Sequence, residues 1–136
     1  MSNGEKGFTL IELLVAMVII AILSGLALVS FQGARKTARD GKRKADLEQI
    51  RSALEMCYSD DNEYPNSISG SVTCNISANT YLEVVPSDPL SGRLYGYNRI
   101  SDVSYTLCAA LETGSGSESN CASCGTPTCN YKVTNP

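Results

Sequence analysis

The feature that most constrains this chain is an uninterrupted apolar segment close to its amino terminus. Residues 13–34 are 22 consecutive positions without a charged side chain, reading LLVAMVIIAILSGLALVSFQGA. At 1.5 Å per helical residue they span about 33 Å, roughly the hydrocarbon core of a bilayer. The chain has 136 residues, 43% hydrophobic and 18% charged, which leaves room for one core and is too polar for several spans. The sequence therefore predicts one membrane-crossing helix and one small domain.

Charge is distributed unevenly along the chain. The formal net charge is -3, yet seven of the eleven basic residues lie within residues 35–51, and residues 52–136 hold three bases against nine acids. An acidic protein of this kind is not a generic nucleic-acid binder. The absence of histidine excludes imidazole catalysis, histidine metal ligation and a Ser–His–Asp triad.

The orientation of the predicted span is ambiguous from charge alone. Only Lys6 precedes the apolar segment, so the positive-inside rule would place the carboxyl-terminal part in the cytoplasm. Six cysteines in a small domain instead favour an oxidising compartment.

Glu12 lies at the edge of the apolar segment, where a carboxylate is unexpected. An ionised carboxylate within a bilayer costs about 2.5 to 3.5 kcal/mol, so it is usually retained only with a partner. One interpretation is that Glu12 simply lies at the level of the lipid headgroups. The other begins with a cut between Gly7 and Phe8, which would create a cationic α-amino group one helical turn from Glu12. The same amine on an adjacent subunit could neutralise Glu12, which would then set the register of assembly.

Residues 7–12, Gly-Phe-Thr-Leu-Ile-Glu, follow a short polar leader and precede an apolar helix. This segment resembles the type III signal of type IV pilins and pseudopilins. The resemblance implies that a membrane prepilin peptidase cuts after Gly7 and methylates Phe8. It implies a leader inside and a globular part outside, which overrides the charge count. It also implies an assembly ATPase, a membrane platform protein and further copies of the chain as partners. The proline that many members carry at the position of Val29 is absent.

The rest of the chain predicts an α+β pilin fold, with a small antiparallel sheet packed on the carboxyl half of one long helix. The domains are a leader (1–7), an apolar transmembrane and polymerisation helix (8–34), an amphipathic helix (35–59) and a globular domain (60–136). The helix is expected to end near Ser59, because acidic residues and a proline follow. Its inward face is predicted from apolar residues at spacings of three and four: Ala38, Ala45, Leu47, Ile50, Leu54 and Cys57 or Tyr58.

The strands are predicted late in the chain. Residues 60–92 suggest a long surface connection with at most a short helix around Thr80 to Val84. Residues 103–111 alternate in polarity, the signature of a half-buried strand, which would pair with residues 93–99 and 130–134.

The basic stretch at residues 35–44 has a structural and a functional interpretation. The structural one is a solvated helix face stabilised by ion pairs four residues apart, which are Asp40/Lys44, Lys42/Asp46, Lys44/Glu48 and Arg51/Glu55. The functional one is a patch for nucleic acid or anionic lipid. Three acids interleaved with the bases of residues 35–51 and the absence of aromatic residues favour the first, and nucleic-acid binding stays open.

Six cysteines permit fifteen fully paired connectivities. We expect Cys57 to pair with Cys74, Cys108 to pair with one of the three late cysteines, and the last pair to lie among Cys121, Cys124 and Cys129. A four-thiolate zinc site is less favoured because a second CxxC motif is missing. Redox catalysis would need a CxxC at a helix amino terminus in a βαβ setting, which the pattern does not supply.

The acidic residues at 60–63, Asp88 and Asp102 lack the spacing of an EF-hand, so no calcium site is predicted. Asn75 begins a glycosylation sequon to which no function is assigned. We therefore expect a structural prepilin, without catalytic, metal or cofactor sites, that moves from the membrane into a helical surface filament. The alternatives are a secretion pseudopilin, a membrane-anchored binding module such as a DNA receptor, and a CxxC oxidoreductase.

Overall fold

The computed structural model describes residues 7–136, and residues 1–6 of the predicted leader lie outside the described residues. The chain divides into two compact units, Met1–Arg35 and Lys36–Pro136. Its elements are α1 (Leu10–Asp61), β1 (Val72–Thr73), β2 (Thr80–Leu82), β3 (Gly96–Ser101), β4 (Ser104–Ala109) and β5 (Tyr131–Thr134). One long helix with small antiparallel sheets confirms the predicted α+β pilin fold.

Helix α1 ends two residues later than predicted. Asn62 takes a left-handed backbone conformation with φ of 57°, and its N–H donates to the Tyr58 carbonyl at 2.9 Å. This is a common way for a helix to stop. The acidic residues before it are tolerated because they have donors, as in the 2.6 Å bond from the Tyr81 hydroxyl to the Asp60 carboxylate.

The core of the second unit lies between one face of α1 and the three-stranded sheet. Leu47, Ile50 and Leu54 on the helix are fully buried, as are Tyr105 and Leu107 on β4. Burying side chains of this size stabilises the fold by about 1.5 to 3 kcal/mol each.

The inward face of α1 differs from the prediction at its beginning. Ala38 and Ala45 are exposed, whereas Asp40, Arg43 and Asp46 are buried. The apolar stripe therefore continues as a row of charged residues, which can be buried because each has a partner.

The three-stranded sheet has the order β3-β4-β5 and is antiparallel throughout. Leu107 at its centre pairs with Tyr97 on one side and Val133 on the other. The predicted strand and its two partners are therefore present. The predicted half-burial is wrong for β4, because Thr106 and Cys108, on the opposite face from Leu107, are also buried. Cys108 belongs to a second small core formed with the late cysteines.

The predicted short helix around Thr80 to Val84 is wrong. Thr80–Leu82 is strand β2, paired with β1 through Val72 opposite Leu82. The hairpin is closed by a 2.9 Å bond from the Cys74 N–H to the Asn79 carbonyl. Strand pairing around a fully buried Val72 outweighs the weak local preference for a helix.

Candidate assembly site

Thr9 and Glu12 form a reciprocal cap at the start of α1. The Glu12 carboxylate accepts the Thr9 N–H at 2.9 Å and the Thr9 hydroxyl at 2.8 Å. The Glu12 N–H donates to the Thr9 hydroxyl oxygen at 3.3 Å. This is a capping box, in which the side chain of each residue accepts a hydrogen bond from the backbone N–H of the other. Sequence reasoning missed it, although the Thr-x-x-Glu spacing that signals it is present.

The predicted cleavage position lies just before this cap. Gly7 is exposed, and a side chain placed on it would meet no atom within 4 Å. Phe8 is 90% exposed. Both residues precede α1 and are exposed, so the described chain leaves the peptide bond between them uncovered.

The apolar segment is helical, and none of its side chains that the structure describes is buried. The helix is long and apolar enough to cross a membrane, and its most apolar window has no buried residue. Leu10, Ile11 and Leu26 are 87%, 71% and 67% exposed. Apolar side chains on all sides require an apolar environment, which lipid or other copies of the helix can supply.

The second unit contains an ion cluster around Arg43 that sequence reasoning did not find. The Arg43 side chain is completely buried and contacts Asp40 at 2.7 Å, Asp88 at 2.7 Å and Glu112 at 2.9 Å. Arg39 also binds Glu112 through two hydrogen bonds of 2.6 Å. Two of the three carboxylates lie far from Arg43 in sequence, so no local pattern indicates these contacts.

The cluster shifts the pKa of its carboxyl groups. Hydrogen bonds from Arg39, together with those from Arg43, outweigh burial and lower the pKa of Glu112 to about 2. For Asp40, burial alone would raise the pKa, but the N–H groups of Glu112 and Thr113 and the Arg43 guanidinium lower it to about 2. The Asp88 pKa is also lowered, because hydrogen bonds from Arg43 and the Leu90 N–H outweigh burial. All three carboxylates are therefore ionised at neutral pH.

These contacts correct the prediction of a solvated basic face. Of the expected helical pairs only Lys42 with Asp46 forms within residues 7–136, at 2.9 Å. Lys44 instead lies over the Tyr131 ring, 5.3 Å from its centroid. The other expected acids have different partners: Asp40 binds Arg43, Glu48 binds Arg51, and Glu55 accepts the hydroxyls of Tyr64 and Tyr105.

All six cysteines are paired in disulfides. Cys57–Cys74 is present as predicted and ties the end of α1 to β1, with a sequence separation of 17. Cys108 pairs with Cys121, and Cys124 pairs with Cys129. The sulfurs of Cys108, Cys121 and Cys129 lie within 4.8 Å of one another. A disulfide sulfur is not a thiolate, so this cluster offers zinc no ligand in the oxidised protein.

The acidic residues near the end of α1 are engaged by donors of the protein. The Asp61 carboxylate accepts the N–H groups of Ile76 and Ser77 at 2.8 and 3.0 Å. The Asn75 amide in the sequon donates to the Tyr64 carbonyl at 3.2 Å and to Glu63. The geometry therefore indicates anchoring of the hairpin loop at these positions.

Comparisons with known proteins agree with these features of the chain. Residues 2–28 match the family described as "Prokaryotic N-terminal methylation motif". The chain is similar to "Type II secretion system core protein G" of Pectobacterium carotovorum subsp. carotovorum, 30% identical over 62% of each chain. The protein of that name from Escherichia coli (strain K12) is 26% identical, over 83% of this chain and 86% of its own length.

A third relative is "Type IV major fimbrial protein FimA" of Dichelobacter nodosus, which is 33% identical over 57% of this chain and 50% of its own length. The chain thus spans 62% of the Pectobacterium relative and half of the fimbrial one. No solved structure matches the chain significantly. The methylation motif at the start of an exposed apolar helix, the α+β fold and these relatives show that this chain is similar to type IV pilins and pseudopilins.

Proposed function

We propose that the chain is a structural prepilin, which is inserted in a membrane, cut between Gly7 and Phe8, methylated on Phe8 and polymerised through its apolar helix. The observation that carries this proposal is the exposure of the apolar helix, because lipid and a bundle of identical helices are the two environments that cover it. The match to a methylation motif supports the processing step. Prepilin peptidase, an assembly ATPase and a platform protein are the partners that the family resemblance implies.

In this proposal Glu12 changes partners during assembly. Within one chain its carboxylate binds Thr9, which keeps it hydrogen-bonded before polymerisation. In the filament the methylated amine of Phe8 on an adjacent subunit would provide a cationic partner. A charged pair in a poorly hydrated environment is stronger than hydrogen bonds from the neutral Thr9 donors that it replaces.

The test is Glu12→Gln in the native host. The proposal expects loss of filaments, seen by electron microscopy, while the variant is still membrane-inserted and has lost seven residues by mass spectrometry. Glu48→Gln is the matched control, because Glu48 is an exposed glutamate on the same helix whose only ion pair within residues 7–136 is a 3.6 Å contact with Arg51. Normal filaments from Glu12→Gln, or filaments of chains that retain residues 1–7, would contradict the proposal.

A second candidate is a pseudopilin of a secretion apparatus, favoured by the relatives named "Type II secretion system core protein G". Both candidates polymerise through the same helix. Long filaments outside the cell support the pilin, whereas short filaments confined to the cell envelope support the pseudopilin. A non-polymerising DNA receptor is less supported, since Arg39 and Arg43 of the basic stretch are paired with carboxylates of the chain itself.

A further inference from the structure

The second unit contains a polar cavity of about 350 Å³ with two cationic side chains in its wall. Lys36 is exposed, and within residues 7–136 its side chain has no ion pair or hydrogen bond. Arg93 is half-buried, and its Nη1 donates to the Ala110 carbonyl at 2.7 Å. No carboxylate of the described chain lies within ion-pair distance of either cation. The cavity therefore has two cations in its wall that form no ion pair within the described chain, and Asp88 interacts with Arg93 only at longer range.

The cavity wall is held in place before any ligand arrives. Asn130 fixes one side, because its Oδ1 accepts the Leu111 N–H at 2.7 Å and its Nδ2 donates to the Leu111 carbonyl at 3.0 Å. The segment carrying Thr128 is anchored by the neighbouring Cys124–Cys129 disulfide. Gly116 in the wall has a φ of +88°, a backbone conformation that residues with a side chain rarely adopt. The wall therefore carries no side chain at this position.

The one carboxylate in the wall does not cancel these cations. Glu112 belongs to the ion cluster, with bonds to Arg39 and Arg43. That cluster of two guanidinium groups and three carboxylates carries one net negative charge. Lys36 and Arg93 turn the local balance to one net positive charge. Because Glu112 is already engaged, an arriving anion meets two available cations and the Thr128 hydroxyl.

We propose that this cavity binds the phosphate headgroup of an anionic phospholipid while the subunit is in the membrane. The argument for a lipid is continuity with the membrane segment: Lys36 follows the last residue of the uncharged stretch, Ala34, by two positions. On leaving the hydrocarbon core a chain reaches the headgroup layer within a few residues. A guanidinium presents its donors in the geometry that phosphate oxygens need, and an ammonium adds a point charge.

The site gives the membrane-inserted subunit a preference for anionic phospholipids, which the apolar helix alone lacks. It rests on the membrane-inserted stage of the proposed function but not on polymerisation. A subunit leaving the membrane for a filament would have to release this lipid. The charge at Lys36 and Arg93 then becomes available to other groups.

The test uses the full chain in a non-ionic detergent, with retained lipids counted by native mass spectrometry during titration with phosphatidylglycerol or phosphatidylcholine. We expect one phosphatidylglycerol to be retained, and phosphatidylcholine to remain at background. Lys36→Gln and Arg93→Gln should each weaken retention about tenfold, as expected for loss of one charge-assisted bond. Lys132→Gln, on a lysine outside the cavity that pairs with Glu118, should leave retention unchanged.

Two further arms keep the result specific. Lys36→Arg should restore retention, and because Lys36 is exposed its variants keep the wild-type circular dichroism. Glycerol 3-phosphate, the soluble headgroup, should compete only at much higher concentration than the lipid. Equal retention in Lys36→Gln, Arg93→Gln and Lys132→Gln would overturn the proposal. So would equal retention of the two lipids, or competition by glycerol 3-phosphate at the concentration of the lipid.

Insertion is measured separately, by flotation of the same chain with vesicles. If the chain fails to insert, both the proposed function and the proposed headgroup site are contradicted. A chain that inserts normally, yet retains phosphatidylglycerol no better than phosphatidylcholine, removes the headgroup site alone.

Discussion

Arg43 and Asp88, 45 residues apart in the chain, form a buried bidentate ion pair, with Nε to Oδ2 at 2.7 Å and Nη2 to Oδ1 at 2.9 Å. The pair joins α1 to the connection before β3. The remaining Arg43 nitrogen, Nη1, binds Asp40 and Glu112. One side chain thus holds two segments of the globular unit, those carrying Asp88 and Glu112, against the helix.

Replacing this arginine should be strongly destabilising. Arg43→Met leaves three buried or half-buried carboxylates without their shared partner, for which we expect a loss of about 3 to 5 kcal/mol. The measurement is urea unfolding of the full chain in detergent micelles, followed by near-ultraviolet circular dichroism of the tyrosines. Lys44→Met is the control, since Lys44 is exposed and, in the part of the chain that the structure describes, its ammonium lies over the Tyr131 ring without an ion pair; the variant should cost less than about 1 kcal/mol. Similar losses for the two variants would contradict the role given to Arg43.

Acid should weaken the globular unit through the same cluster. The folded-state pKa values of Asp40 and Glu112 are both about 2, below their ordinary values of 3.8 and 4.5. A carboxyl group whose pKa is lowered on folding stabilises the fold. The contribution is complete at a pH above the unfolded-state pKa and is lost as the pH falls through the folded-state pKa. We therefore expect a loss on the order of 2 kcal/mol between pH 6 and pH 3, measured by urea unfolding at each pH.

The matched variants for this pH profile are Glu112→Gln and Glu118→Gln. Glu112→Gln removes one of the groups that must be protonated, so unfolding between pH 3 and pH 4.5 should take up about one proton fewer than in the wild type. Glu118 binds Lys132 outside the cluster, and its variant should keep the wild-type slope. A slope unchanged by Glu112→Gln would show that other groups set the acid sensitivity.

The disulfides should differ in what they contribute. Cys57–Cys74 has a sequence separation of 17, and the Cys57→Ala/Cys74→Ala variant should lose about 2 to 4 kcal/mol. Cys124–Cys129 has a separation of 5, so its double alanine variant should lose about 1 kcal/mol less on loop entropy. Urea midpoints of the two oxidised variants, with fully reduced wild type as reference, give the comparison. The opposite order would show that packing outweighs loop closure.

Local sequence is informative where the physical constraint is itself local. The apolar run fixes a helix of membrane-spanning length, and the alternation in residues 103–111 fixes a strand. The same local patterns failed at Ala38 and Ala45, which are exposed, and at Thr80–Leu82, which is a strand. In each case contacts with distant segments outweighed the local preference.

The candidate assembly site divides in the same way. The roles proposed for Gly7, Phe8 and Glu12 rest on the sequence, because their spacing along about one helical turn carries the chemistry, and the Thr9 cap could have been predicted from the Thr-x-x-Glu spacing. The Arg43 cluster could not, because an arginine four residues from another arginine and three from an aspartate is equally compatible with a solvated face. Only folding brings Asp88 and Glu112 to it.

The sequence by itself determined that this chain has a membrane-length helix with a methylation motif at its start, because charge and hydropathy are properties of consecutive residues. The tertiary structure alone decided which of its charged side chains are buried, which are paired and which are left available at Lys36 and Arg93. The physical reason is that an ion pair or a cavity depends on distances between atoms far apart in the chain, and these distances exist only after the helix and the sheet have packed.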